Sequence, residues 1–236
     1  MAIYMWREYI PPKALCFTAN TGNSTVQLTK TWSPTAVTLE TSTDGNTRTT
    51  YTFWNTITLS NIWDKVYWRN TSTTDTGFST GIGNNYKFVM SGSIAASWDV
   101  TYLLNKNNTN TLSSWCFSSL FSSCSSLTSV PKLSATILSD SCYRGMFVLC
   151  TNIETLPNLP ATNLAGYCYM SMFNSCSKIK LSSTQTWEYQ TPYRIPNEWT
   201  WTTASSRNDS MFAGTWWTFT WTPSINTTYY TSNQVI

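Results

Sequence analysis

The sequence predicts a mixed α/β chain, an N-terminal antiparallel β-sandwich followed by a short repeat solenoid. Three observations lead there. Residues 14–104 break into short runs of rough period-two alternation, separated by turn signals. Cysteines in the second half recur at a fixed step of 26 residues. Charged residues make up only 11% of the 236-residue chain, and Thr, Ser and Asn take their place, a composition that favours strands and turns.

The first element is residues 1–13, "MAIYMWREYIPPK", read as an N-terminal anchor segment. It lacks a basic stretch followed by an apolar run, so it does not read as a secretory signal. No stretch of the chain approaches 18 consecutive apolar residues, so no membrane span is expected.

The second element is the sandwich, residues 14–104. Its expected strands are 24–30, 36–42, 48–54, 56–60, 64–70, 86–92 and 98–104. Turn signals such as "SPT", "TDGN", "GIGNN" and "SGS" separate them. "NKNNTNT" then marks the break to the repeats.

The third element is residues 105–236, the repeat domain with a C-terminal cap. Cys116, Cys142 and Cys168 form one series, and Cys124, Cys150 and Cys176 another. Leu120-Phe121 becomes Met146-Phe147 and then Met172-Phe173, while Leu127, Ile153 and Ile179 match. A degenerate fourth copy stands at Met211-Phe212, after an insertion at "QTWEYQTPYRIPNE". In the first unit, Cys116, Leu120 and Phe121 fall at i, i+4, i+5, which predicts a short helix. "SLTSVPKL" then reads as an extended piece with an edge proline. Stacking such units would bury Cys116, Leu120, Phe121, Cys124, Leu127, Cys142, Met146, Phe147, Cys150, Ile153, Cys168, Met172, Phe173 and Cys176 in one ladder.

The run "CYRGMFVLCTNIETLPNLPATNLAGYCYMSMFNSC" resembles the BspA-like leucine-rich repeat family, whose units read C-Y-x-x-M-F-x-x-C-x-x-L and then P-x-L-P-A-T-x-L-A. The resemblance covers residues 110–181, with a weak echo to 213; Leu120 and Ser134 depart from the pattern. It implies a leucine-rich-repeat solenoid and a surface-exposed recognition or adhesion role, with a host-surface or extracellular protein or glycan as partner.

Chemistry-bearing constellations are sparse. The chain has no histidine, which removes the commonest general base and the commonest metal ligand. No serine therefore has its ordinary activating base. Asp44, Asp64, Asp75 and Asp99 sit in or beside turns, where aspartate serves local hydrogen bonding. "GIGNN" lacks the third glycine and the lysine of a phosphate loop. No CxxC pair suggests a metal, so the repeat cysteines read as core thiols, with disulfides between equivalent rungs the alternative. Cys16 has no repeat partner and belongs to the core of another domain. No catalytic residue, metal or cofactor is assigned. A net charge of +3 is too weak and scattered to indicate nucleic acid.

These readings favour a non-enzymatic, extracellular binding protein. Two contexts fit it, a bacterial cell-surface adhesin or a virion component such as a phage tail or head-fibre tip mediating host attachment. In the second, residues 1–13 would dock to the particle, and lysis would replace export. A polysaccharide-acting enzyme is the weaker alternative.

The tryptophans form a separate puzzle. There are 13 of them, against 9 glycines. Trp32, Trp54, Trp63, Trp98, Trp187, Trp199, Trp201, Trp216, Trp217 and Trp221 all stand where a turn wants a small residue able to take positive φ. One reading makes them UGA codons decoded as glycine in the source, which would raise glycine from 9 to about 19, near the usual share. The other makes them an aromatic surface that stacks on sugars or fills partner pockets. The first reading expects them in turns, exposed, some at positive φ.

Overall fold

The structure is a computed structural model that describes residues 13–196, 207–217 and 222–236. Among the described residues the chain is almost all β, with no α-helix and a single 3-10 turn at Val100–Leu103. Its strands form several small sheets and no closed solenoid. The expectation of a mixed α/β fold, sandwich followed by leucine-rich-repeat solenoid, is thereby corrected.

The first half contributes eight strands: β1 (Leu15–Ala19), β2 (Ser24–Lys30), β3 (Leu39–Ser42), β4 (Thr49–Thr50), β5 (Thr56–Leu59), β6 (Lys65–Asn70), β7 (Tyr86–Ser91) and β8 (Ile94–Trp98). Two antiparallel groupings form, β4-β3-β6-β1-β8 and β5-β2-β7. Inward residues alternate with outward ones along β2, where Ser24, Val26 and Leu28 are buried and the residues between them are half-exposed, the period of a strand with one covered face. The two sheets meet edge-on through aromatic rings. Phe17 of β1 and Trp68 of β6 approach Phe88 of β7 at 4.9 and 5.3 Å. The expected strand at 98–104 is instead the end of β8 and the 3-10 turn, which the Asp99 carboxylate caps by accepting the Thr101 N–H at 3.0 Å.

The second half contributes β9 (Leu127–Ser129), β10 (Thr155–Leu156), β11 (Lys180–Ser182), β12 (Thr191–Arg194), β13 (Trp216–Trp217), β14 (Thr228–Thr231) and β15 (Gln234–Val235). The extended pieces of successive repeats enter different sheets. β9 joins β8 in parallel, β10 pairs with β15, and β11 lies between β14 and β13, with β12 on the far side of β14. That scattering is why no continuous strand ladder closes.

What does repeat is a ribbon of turns at 115–124, 141–150 and 167–176. The buried apolar residues of the first rung are Cys116, Phe117, Leu120, Phe121 and Cys124, pairs spaced by four, and Ser118 is buried beside them. Trp115, Ser119 and Ser123 stand at positive φ, as do Ser141, Gly145 and Leu149, then Tyr167, Ser171 and Ser175. Each four-residue unit is therefore one left-handed residue, two inward apolar residues and a fourth residue that is half-exposed at 122, 144, 148 and 170 and buried at 118. The spacing i, i+4, i+5 fits this unit as well as it fits a helix. Serine, a weak helix former, holds most of the left-handed positions.

The backbone accounts fully for this geometry. Cys116, Ser118, Leu120, Ser122 and Cys124 donate their N–H groups within the rung, each to the residue three back. Trp115, Phe117, Ser119, Phe121 and Ser123 donate across it, to the carbonyls of Asp140, Cys142, Arg144, Met146 and Val148 at 2.7–2.9 Å. The next rung repeats the pattern, and Tyr169, Ser171, Phe173 and Ser175 donate to Arg207, Asp209, Met211 and Ala213 of the fourth copy. Inside, Phe121, Phe147, Phe173 and Phe212 stack at 5.3–5.5 Å, and Phe117, Tyr143 and Tyr169 at 5.9–6.0 Å.

The stack begins inside the first half. Phe88 stacks on Phe121 at 5.2 Å, and its N–H donates to the Leu120 carbonyl at 2.8 Å, the bond that Phe121 makes to Met146. Ile94 pairs with Leu127. The spacing Phe88-to-Ile94 equals Phe121-to-Leu127, Phe147-to-Ile153 and Phe173-to-Ile179. The β7–β8 hairpin thus occupies the place of a rung that precedes the first repeat, and one hydrophobic core runs from Leu15 to Tyr229.

Candidate recognition surface

All fourteen residues expected in the ladder are buried, none more than 2% exposed. The seven cysteines are free thiols. The second thiol of each unit has a defined partner: Cys124 donates to the Phe88 carbonyl at 3.2 Å, Cys150 to Phe121 at 2.9 Å and Cys176 to Phe147 at 3.0 Å. Burial pushes Cys116, Cys124, Cys168 and Cys176 up to about 12, so these thiols stay protonated and poorly nucleophilic. They are structural.

The aspartates serve local geometry. Asp44 accepts from the Asn46 and Thr47 N–H groups at 2.8 and 2.7 Å and from Ser42 Oγ at 2.8 Å, which holds its carboxyl far below the usual range. Asp64 accepts from Asn61 N–H at 2.8 Å, and Asp75 from Asn105 and Thr109. "GIGNN" is a tight turn closed by Asn84 N–H to the Gly81 carbonyl. No group of three or more His, Cys, Asp or Glu side chains arranged to hold a metal occurs among the described residues.

What remains is surface. On the outer side of the ribbon, Arg144 reaches between two rings from the flanking rungs. Its guanidinium lies 5.5 Å from the Trp115 ring and 5.9 Å from the Tyr167 ring. Trp115 and Tyr167 occupy the same left-handed position one and three rungs along, so the repeat itself sets their separation. Arg144 stands at the outward position of the middle rung, and the stack brings it into the gap. Ser119, whose N–H donates to the Arg144 carbonyl, is half-exposed, as are Ser122, Ser171 and Asn174 on the same rungs, and Leu149 is exposed. Such an array offers flat apolar faces, a fixed cation and neutral donors and acceptors. The sequence marks the inward residues of these rungs and not this trio; the position two after each first cysteine holds buried Ser118, then half-exposed Arg144 and Met170.

Elsewhere, an open groove of about 500 Å³ is lined by Glu154, Lys178, Lys180 and Asn233, with Lys178 Nζ 2.5 Å from Glu154 Oε1. Its charges are already paired, and it lacks aromatic walls.

The turn tryptophans among the described residues do not gather at one place. Trp32, Trp54 and Trp63 are exposed on separate loops of the sheets, and Trp187 is exposed in the turn between Thr186 and Tyr189. Trp98 is half-buried and stacks on Tyr67 at 5.5 Å. Trp216 and Trp217 form β13. Trp199, Trp201 and Trp221 lie outside the described residues. No protein-family model matches the chain, and no curated protein or solved structure matches it.

Proposed function

We propose that this is a non-enzymatic binding protein that works outside the cell and recognises a protein or glycan through the outer face of its stacked turns. The observation that carries this reading is the Trp115–Arg144–Tyr167 array, three outward side chains from three rungs held in register by the backbone bonds between them. Aromatic faces beside a fixed cation suit sugar rings and the side chains of a partner protein, where Trp, Tyr and Arg supply much of the binding energy. The resemblance of the repeats to BspA-like units supports the same role. The inward thiols and rings keep the rungs in place, and the outward residues are free to vary.

The test is binding to immobilised glycan and protein panels by the intact chain, Arg144→Ala and Tyr167→Ala. Each substitution should lower binding to the same ligand at least about tenfold, the size of a modest contact residue. Equal binding by all three chains would move the site elsewhere. Release of sugar from a bound polysaccharide would overturn the non-enzymatic reading.

A further inference from the structure

Left-handed backbone is where the chain departs most from what its side chains prefer. Outside the turn ribbon and its fourth copy, where Ser210 takes the left-handed position, seven non-glycine residues among those described stand at positive φ. Three are Asn23, Asn108 and Asn226, and asparagine tolerates this region. The other four are Trp32 (φ 49°), Trp54 (73°), Trp63 (74°) and Trp98 (61°). The chain's own left-handed glycines, Gly45, Gly92, Gly145 and Gly214, span 58–81°; Trp54, Trp63 and Trp98 fall within that range, and Trp32 at 49° lies just below it. A bulky side chain there crowds the following carbonyl, and only glycine adopts it without cost.

Nothing in the packing compensates at three of the four. Trp32, Trp54 and Trp63 are 88%, 56% and 73% exposed. Their backbones do structural work instead. Trp54 N–H donates to the Leu28 carbonyl and Trp63 N–H to the Ala19 carbonyl, closing turns that enter β5 and β6. Trp68 is the contrast within the same sheet. It lies in β6, fully buried, with its ring 4.5 Å from Tyr51 and 5.3 Å from Phe88. One tryptophan fills a core, and four occupy glycine positions.

Trp115 marks the limit of the criterion. It also has positive φ, but Ser141 and Tyr167 take the same conformation at the equivalent rung position, so the ribbon imposes it on whatever residue stands there.

We propose that the polypeptide made in its source carries glycine at positions 32, 54, 63 and 98, encoded by UGA and read there as glycine, while position 68 is a true tryptophan encoded by UGG. The exposed turn tryptophans are then no part of the recognition surface, which leaves the outer face of the ribbon to carry it. This inference stands independently of that reading.

The test pairs the codons of the gene with peptide masses of the protein isolated from its source. UGA at all four positions, each with loss of an indolylmethyl group from the peptide, and UGG with intact tryptophan at 68, is the expected result. UGG at 32, 54 and 63, or tryptophan masses at UGA codons, overturns it. A second measurement needs only recombinant protein. The triple variant Trp32→Gly, Trp54→Gly, Trp63→Gly should unfold at a higher temperature than the tryptophan form, and an unchanged or lower midpoint counts against the structural argument.

Discussion

The two halves of the molecule solve the same packing problem with different ring geometry. In the sheets, ring angles vary widely: Phe17 with Phe88 at 73°, Trp68 with Phe88 at 88° and Tyr51 with Trp68 at 61° are edge to face, Phe53 with Tyr86 at 34° is tilted, and Tyr67 with Trp98 at 23° is stacked. In the ribbon they lie flat on one another: Phe121 with Phe147 at 4°, Tyr143 with Tyr169 at 3°, Phe147 with Phe173 at 5°. Isolated rings prefer edge or offset arrangements. The difference shows that topology selects among them. Two sheets contribute rings from unrelated backbone directions, so no single angle is imposed on the pairs. A translational repeat gives each ring the same backbone and the same rotamer one rung on, so the rings must be parallel. Phe88 belongs to both systems, edge-on to Phe17 and flat against Phe121.

Alkaline pH should separate the halves most strongly. Six thiols lie in the ribbon and one, Cys16, in the sheets. Burial raises the folded values, so the unfolded chain ionises first as pH rises past 9.0. The stability these thiols contribute is intact below that pH and is lost progressively up to about 12. Each thiol removes about 1.4 kcal/mol per pH unit in that window. Hydrogen exchange between pH 9 and 10 should show protection falling in residues 115–176 ahead of 15–98. Uniform loss would break the contrast.

Truncating a ring comes next. Phe147→Ala removes a ring stacked on both sides and should cost about 3–5 kcal/mol in denaturant unfolding. A loss below about 1 kcal/mol would mean that the stack contributes little beyond register.

Smaller again is the thiol bond. Cys150→Ala removes the donor to the Phe121 carbonyl and some buried volume, for a loss of about 1–2 kcal/mol by the same measurement. The smallest effect has the opposite sign. Trp32→Gly alone should stabilise by about 1 kcal/mol, because the left-handed strain of a bulky residue is relieved. Destabilisation at that site would show that the tryptophan ring contributes to the fold after all.

Much of the ribbon's content was legible in the sequence, and its shape was not. The 26-residue step located the inward residues, and even the fourth copy at Met211-Phe212 was visible after its insertion. The helix expectation failed because Cys116, Leu120 and Phe121 satisfy two periods at once. Adding Phe117 and Cys124 distinguishes them, since inward pairs every four residues do not drift around an axis as a 3.6-residue period does. In the first half the alternation at 24–30 and 64–70 coincides with β2 and β6. β1, "LCFTA", was passed over because its residues are buried on both faces and show no alternation. The surface trio escaped because its separation exists only across rungs, a distance that no local pattern encodes. Phe88 and Ile94 could have been found, since their spacing repeats that of the later units.

The hairpin that stands in for a rung has a consequence for how such chains change length. The face that Phe88 covers is the one that Phe121 covers on the next rung, and each is met by the same backbone bond. The turn portion of an interior unit is therefore equivalent to its neighbour's, whereas the extended pieces that follow it differ in their sheet partners. Duplicating 141–166 in the gene would add one layer to the ring stack, but only one of the two copies of 155–156 could keep the pairing with β15, and deleting the segment would leave β15 without that partner. A lineage could in this way extend the outer face by whole steps, keeping one start and one finish while the number of middles grows.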